Sequence, residues 1–244
     1  MKLQGKMKMA NAPQPEKLPL AILFEDADIL VVDKPAGQYV HPSPGHLVGT
    51  LVNAVLAHVP AMAGVGSVER PGVVHRLDAD TSGVMVLAKN QAAYLALRQA
   101  FESHTQVQKT YLAVLHGTPS PRQGPLDTLI GRKAWDAKRM AVVEREVDGK
   151  RAVTHWEVLG RQGNVSLVEF RIETGRTHQI RVHAAHLGHP IVGDPLYGNA
   201  EADRRRKPRP TRTLLHAVAL RFPHPRTGKM VEFAAEPPSD IIYG

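Results

Sequence analysis

The sequence contains no cysteine, which excludes disulfide frameworks, thiol catalysis and Cys-ligated zinc or iron–sulfur sites together. Aromatic residues are scarce at 5%, and no apolar run approaches the ~20 residues that a membrane helix needs. Lysines near the N-terminus are not followed by a continuous apolar stretch, so the expectation is a cytoplasmic protein with neither secretory signal nor membrane anchor. Acidic residues run short as well: 23 Asp+Glu face 31 Lys+Arg, for a net charge of +8. What remains is a chain of 244 residues, 43% hydrophobic, long enough to bury a core without covalent or metal staples.

A basic balance makes a polyanion the first partner to consider, but the surplus is local. Lys2, Lys6, Lys8 and Lys17 against Glu16 give residues 1–20 a net +3. Arg204, Arg205, Arg206, Lys207, Arg209 and Arg212 against Glu201 and Asp203 give residues 201–213 a net +4. The body between them is close to neutral. Each basic run reads equally as a solvated segment or as an RNA contact.

Residues 1–20 lack periodicity and read as a disordered basic leader, followed by one domain over 21–244 with no internal linker. Ile22–Phe24, Ile29–Val32, Val84–Ala88 and Tyr111–Leu115 read as strands. Val168, Phe170 and Ile172 alternate with charged residues, as a half-buried strand does. Thr50–His58 reads as a short helix. Asn90 caps a helix carrying Tyr94, Leu97 and Phe101, and Thr177 is the expected cap of another carrying Ile180, Ala184 and Leu187. Without a regular β-α-β rhythm, the fold expected is α+β, a mixed and largely antiparallel sheet flanked by helices and loops.

Two polar clusters stand out. In Gly72-Val73-Val74-His75-Arg76-Leu77-Asp78-Ala79-Asp80-Thr81-Ser82-Gly83, carboxylates, hydroxyls, an Arg and a His precede an apolar strand that would hold the loop in place. Asp78 and Asp80 lie too close in sequence to straddle one glycosidic bond easily. Ser82 lacks the strained G-x-S-x-G elbow, and plain turn chemistry explains the hydroxyls equally well. The second cluster, Thr174-Gly175-Arg176-Thr177-His178-Gln179-Ile180-Arg181-Val182-His183, continues to His186 and His189. Its histidines admit a zinc hydrolase reading, but the HExxH helix is absent, and no metal is the favoured reading. Arg181 is placed to meet a carboxylate bidentately. Tyr111, in Lys109-Thr110-Tyr111, fits a core position as well as a site.

Taken together these segments resemble the RluA family of RNA pseudouridine synthases. His75 to Gly83 matches H-R-L-D-x-x-T-S-G, and Val31 to Gly37 is similar to V-x-x-K-P-x-G. Lys109 to Tyr111 matches K-x-Y, Thr174 to His183 matches T-G-R-x-H-Q-[IL]-R-x-H, and Gly188 to Asp194 matches G-H-P-[IL]-x-G-D. Leu215-His216-Ala217 and Phe222-Pro223-His224-Pro225 match the closing L-H-A and F-x-H-P, so order and spacing agree from about residue 21 onward. Larger relatives carry an N-terminal S4 RNA-binding domain, and none is expected here.

The resemblance implies isomerisation of chosen uridines in RNA, ribosomal RNA of the large subunit first and transfer RNA as the alternative. The N1–C1′ bond breaks, the uracil turns while bound, and C5 joins C1′. No redox change occurs and no group is added, so no cofactor or metal is needed. By position, Asp78 is the implied nucleophile, attacking C1′ or C6 or removing a ribose proton. Arg181 is its implied cationic partner. Tyr111 is implied to stack on the flipped base and to be placed for the C5 proton, and Arg76 to fill the gap that the base leaves. His75, Arg76, Arg176, Arg204, Arg205 and Arg206 are the candidate RNA contacts, the 201–213 stretch serving as a mobile clamp. A monomer acting on RNA is expected. A non-catalytic RNA-binding assembly factor is the alternative from outside enzymology.

Overall fold

A computed structural model describes residues 12–103 and 106–242. Where the sequence shows no linker, the chain nevertheless forms two compact units, Met1–Val107 with Leu220–Ala235 and Gln108–Ala219 with Glu236–Gly244. Composition does not mark the boundary because it crosses the interior of a strand.

The first unit is built on β1 (Ala21–Glu25), β2 (Ile29–Lys34) and β3 (Ser82–Ala88), paired antiparallel in that order. All of β3 and nearly all of β2 are buried. Strands covered on both faces read as continuous apolar runs, which is how both read here. The β1–β2 turn is closed by Asp26, whose Oδ1 accepts the N–H groups of Asp28 at 2.7 Å and Ile29 at 2.8 Å. Helix α1 (Leu51–His58) starts at a capping box between Thr50 and Asn53. Helix α2 (Gln91–Ser103) starts where Asn90 Oδ1 accepts the Ala93 N–H, and it buries Leu97 and Phe101 as expected. The unit closes with the end of β9 (Leu215–Pro223) and β10 (Met230–Ala234), which pairs with it.

Part of the expected leader is fastened rather than free. Glu16 N–H donates to Asn53 O at 2.9 Å, Asn53 Nδ2 donates to Gln14 O at 2.6 Å, and the Glu16 carboxylate accepts from Gly49 N–H. These bonds use backbone and amide groups, which leave no periodicity to read. Residues 1–11 of that leader lie outside the described residues.

The second unit contains β4 (Gln108–His116), β5 (Gln123–Lys133), β6 (Asp136–Val143), β7 (Gly149–Gln162) and β8 (Val165–Ile172). They pair antiparallel in the order β4-β8-β7-β5-β6. Val168, Phe170 and Ile172 of β8 are buried, in line with their alternation. Helices α3 (Gln179–His186), α4 (Ala200–Arg205) and α5 (Ser239–Ile242) complete it. Ile130, Ala152 and Val182 form a small core under α3, with Met140, Val142 and Tyr197 packed on it. Thr177 does not cap α3. The N-cap is His178, in the left-handed region at φ 57°, and Gln179 Oε1 takes the Arg176 N–H instead. Among the described residues no helix is long and apolar enough to cross a membrane.

Candidate active site

In the first unit the loop 75–81 is held from three sides. His75 Nε2 accepts the Val86 N–H at 3.1 Å, and the ring stacks on Phe101 with centroids 4.6 Å apart. His75, a candidate RNA contact, ties the loop to β3 and α2. Leu77 is buried, while Arg76 is exposed and Asp78 half-buried. The third hold comes from Lys34, at the end of β2 opposite Gly83. Its side chain is fully buried, and its ammonium donates to Pro35 O at 2.7 Å and to Gln38 O and Ala79 O at 2.9 Å. Gly37 N–H, at a φ of 83° that suits glycine, also donates to Ala79 O at 2.9 Å. The K-P-x-G and H-R-L-D segments therefore meet at the peptide next to Asp78. Thr81 and Ser82 are buried where β3 begins, and Thr81 N–H closes a turn on Asp78 O at 3.2 Å.

In the second unit Tyr111 is buried on β4, paired with Phe170, on the strand face of Lys109, Ala113 and Leu115. Burial, with the Arg176 charge beside it, lowers the Lys109 ammonium to a pKa of about 8. Its bond to Glu173 O is long, at 3.4 Å. Arg176 is half-buried and donates to Arg151 O at 2.9 Å.

Arg181 lies in the first turn of α3 and is buried. Its Nε and Nη2 donate to the two carboxylate oxygens of Asp194 at 2.7 and 2.8 Å. Burial pushes the Asp194 carboxyl up, but the Arg181 bonds and charge, with the Tyr197 and Leu196 N–H groups, outweigh it and hold the carboxyl below its ordinary value. The Arg181 guanidinium carbon sits 5.1 Å from the centroid of the Tyr197 ring, a cation–π contact. Tyr197 OH accepts the Met140 N–H at 2.8 Å and lies 2.8 Å from His178 Nδ1. Asp194 and Tyr197 had no role assigned from sequence. Their one signal was a carboxylate closing the G-H-P-I-V-G-D segment, in a turn too apolar to leave it unpaired.

The zinc reading of the histidines fails at His183. Both ring nitrogens are engaged by threonine hydroxyls, Thr128 at 2.9 Å and Thr154 at 2.8 Å, and burial, with His186 nearby, lowers its pKa to about 4. Asp26, Asp28 and His224 also cluster closely enough to suggest a metal, but their atoms are committed elsewhere. Arg226 bonds both oxygens of Asp28 at 2.5 and 2.8 Å, and His224 Nε2 bonds Asp26 at 2.8 Å. His224 Nδ1 accepts two backbone N–H groups, so this donor set fastens the C-terminal strands to the β1–β2 turn and does not fit a cation.

The 201–213 segment, the expected clamp, is tied near both ends. Asp203 accepts from His116 Nε2 at 2.8 Å and Gly193 N–H at 3.2 Å, and Arg212 pairs with both oxygens of Asp240. Arg204, Arg205, Lys207 and Arg209 are exposed and Arg206 half-buried, with Arg205 paired to Glu201.

The comparisons with known proteins agree with this arrangement. Residues 28–186 match the family model described as RNA pseudouridylate synthase. The chain is 46% identical to an uncharacterised RNA pseudouridine synthase of Bacillus subtilis, covering 97% of this chain and 78% of that one. It is 44% identical to ribosomal large subunit pseudouridine synthase D of Zymomonas mobilis, over 93% and 72% of the two chains. Among solved structures, the human RNA pseudouridylate synthase domain containing 1 superposes with a TM-score of 0.74 at 31% identity, covering 91% of this chain and 85% of that one. Human domain containing 4 gives 0.72 at 25% identity, over 100% and 96%. The α+β fold, the motifs and these likenesses agree, and the chain belongs to the RNA pseudouridylate synthase family, of the RluA type, as an isomerase that turns uridine in RNA into pseudouridine.

Proposed function

We propose that the RNA is that of the large ribosomal subunit, with Asp78 as nucleophile. Tyr111 stacks on the displaced base, and Arg181 takes the cationic role that the family motif implies. The observation that carries the reading is the tethering of the Asp78 loop: the neighbouring carbonyl of Ala79 accepts from a fully buried ammonium and from the Gly37 N–H. A carboxylate on so fixed a loop is oriented before substrate arrives, which is where most catalytic advantage of position lies. Relatives named ribosomal large subunit pseudouridine synthase D in Zymomonas mobilis and Neisseria meningitidis, 44% and 43% identical, favour ribosomal over transfer RNA.

In this reading Asp78 forms a bond to C1′ or C6, or removes a ribose proton, as the N1–C1′ bond breaks. The freed uracil turns against Tyr111 and C5 bonds to C1′; the bond to Asp78 breaks again, or the ribose proton is returned, the C5 proton leaves and N1, which carries none in uridine, gains one, so atoms and electrons balance without an outside reactant. Arg76, exposed two residues before Asp78, enters the stack. Arg176, Arg204, Arg205 and Arg206 contact the RNA, while His75 acts through the loop. The protein works as a monomer in the cytoplasm without metal or cofactor.

The test maps pseudouridine in total RNA with and without the gene, and with Asp78→Asn restored in its place. Loss of specific large-subunit positions, unrescued by the variant, is expected. Loss confined to transfer RNA reassigns the substrate. An unchanged map, or full rescue by Asp78→Asn, removes the catalytic reading and leaves the assembly factor.

A further inference from the structure

The reaction leaves one large residue unexplained. Trp135 sits in the two-residue turn between β5 and β6, and its relative accessibility is 104%, where the other tryptophan, Trp156, stands at 5%. It also occupies the left-handed region at φ 65°, a position that a hairpin turn normally gives to Gly or Asn. A bulky aromatic there carries backbone strain and an unburied apolar surface. The fold gains nothing from it, so the ring must face something other than this chain's core.

Its surroundings say what. Arg132, Lys133, Lys138 and Arg139 flank the turn against the single acid Asp136, which Arg139 meets at 3.3 Å. Lys133 and Lys138 are exposed, and Ala134 beside Trp135 adds no bulk. An open aromatic face ringed by cations is the composition of a single-stranded nucleic-acid platform: the ring takes a base face and the cations take phosphates. A protein partner would need more apolar area than one ring, and the hairpin tip offers none.

The arm is also connected to the site. Ile130 near its root packs on Val182 of α3. The Met140 N–H on the returning strand is bonded to Tyr197 OH, beneath Arg181. Met140 lies five positions along the chain from Trp135, about 17 Å at the usual strand rise. A base held at the tip therefore lies well away from Arg181, at a nucleotide flanking the target rather than the target itself.

We propose that the β5–β6 hairpin is an RNA-stacking arm, in which Trp135 receives an unpaired base of the substrate while Lys133, Lys138 and Arg139 neutralise its phosphates. The proposal rests on the RNA-modifying reading above and names a contact that helps choose the site modified.

Because Trp156 is buried, the emission of exposed Trp135 can be followed separately. Titration of the intact protein with a short oligoadenylate, which contains no uridine to react, should quench that emission. Trp135→Leu keeps an apolar side chain but loses the aromatic face, and should weaken oligoadenylate binding about tenfold or more. Trp135→Phe should retain most of the affinity, since a phenyl ring still stacks. An unchanged thermal midpoint and unchanged Trp156 emission show that these surface variants fold. Absence of quenching, or a Trp135→Leu variant that binds like wild type, overturns the arm. So does a variant whose cells lose modification while its RNA affinity is intact, which would assign the tip to a protein. The same wild-type protein is assayed on RNA from the deletion strain. Pseudouridine formed there together with wild-type binding by Trp135→Leu sinks the arm alone, whereas no pseudouridine sinks the enzyme reading and the arm's substrate with it.

Discussion

At the scale of single residues, Arg181 and Asp194 pose a question of energetics. Two buried charges in bidentate contact gain Coulomb energy but lose hydration, and well-packed apolar residues often hold a fold as well. Stability alone does not explain the pair, and it is consistent with the cationic role proposed for Arg181. Removing one partner is another matter, since it strands the other charge in the interior. Asp194→Asn should therefore cost about 3–5 kcal/mol, a drop in Tm on the order of 10 °C for a chain of this size, read by thermal unfolding. His183 gives a second residue-scale prediction. Its pKa is about 4 when folded and about 6.5 when unfolded, so between those values the unfolded chain holds a proton that the folded one does not. The contribution of His183 is full above pH ~6.5 and is lost as pH falls towards ~4, on the order of 3 kcal/mol. Denaturant titrations at neutral pH and near pH 4.5 should show that loss, and His183→Gln should show less of it.

At the scale of elements, the joint between β2 and the Asp78 loop matters most. Lys34→Met keeps the volume but leaves the Pro35, Gln38 and Ala79 carbonyls short of a donor. The loop should shift, and a misplacement of about 1 Å can cost roughly a hundredfold in rate. The expected outcome is a kcat lowered at least about tenfold with KM for RNA little changed, because the exposed Arg76 and the basic segments are untouched. A loss confined to KM would show that Lys34 does not act through the loop. Both halves of this joint were legible as motifs, but their meeting was not, because a backbone carbonyl that accepts an ammonium leaves no mark in the sequence. Strands β2, β3 and β8 were legible from unbroken or alternating apolar residues. β5 and β7 were not: Pro125 and Gly131 interrupt the one, and Gly160, where the register shifts, interrupts the other. The start of α3 was misread for a related reason, since Thr177 looks like a cap while Gln179 from inside the helix does the work, bonding the Arg176 N–H and the Thr174 hydroxyl. Arg181 was legible as a residue seeking a carboxylate, but Asp194, 13 residues away in a turn, was not legible as a partner.

At the scale of the whole molecule, half of the +8 charge sits in the 201–213 segment, but not all of its cations are available. Arg212 is committed to Asp240 and Arg205 to Glu201, which leaves the exposed Arg204, Lys207 and Arg209 as the cations of that segment best placed for phosphate. Replacing these three with glutamine should reduce the slope of log K against log salt by about 2–3, at roughly 0.7–0.9 per phosphate contact. RNA affinity measured across a salt series checks this, and an unaltered slope would leave the segment to solubility.

The division of the chain also bears on its synthesis. The ion pairs Asp26–His224 and Asp28–Arg226 span 198 residues, and the first unit contains Leu220–Ala235 as well as the residues before Gln108. On the ribosome, β1 to β3 emerge early and then wait while all of Gln108–Ala219 is translated, on the order of ten seconds at ordinary elongation rates. During that interval the outward edge of β3 lacks the C-terminal residues of its own unit, and an unpaired apolar edge is the surface on which nascent chains associate. The first unit is thus completed only after the whole of Gln108–Ala219 has been made, so its folding depends on the order in which the chain is synthesised.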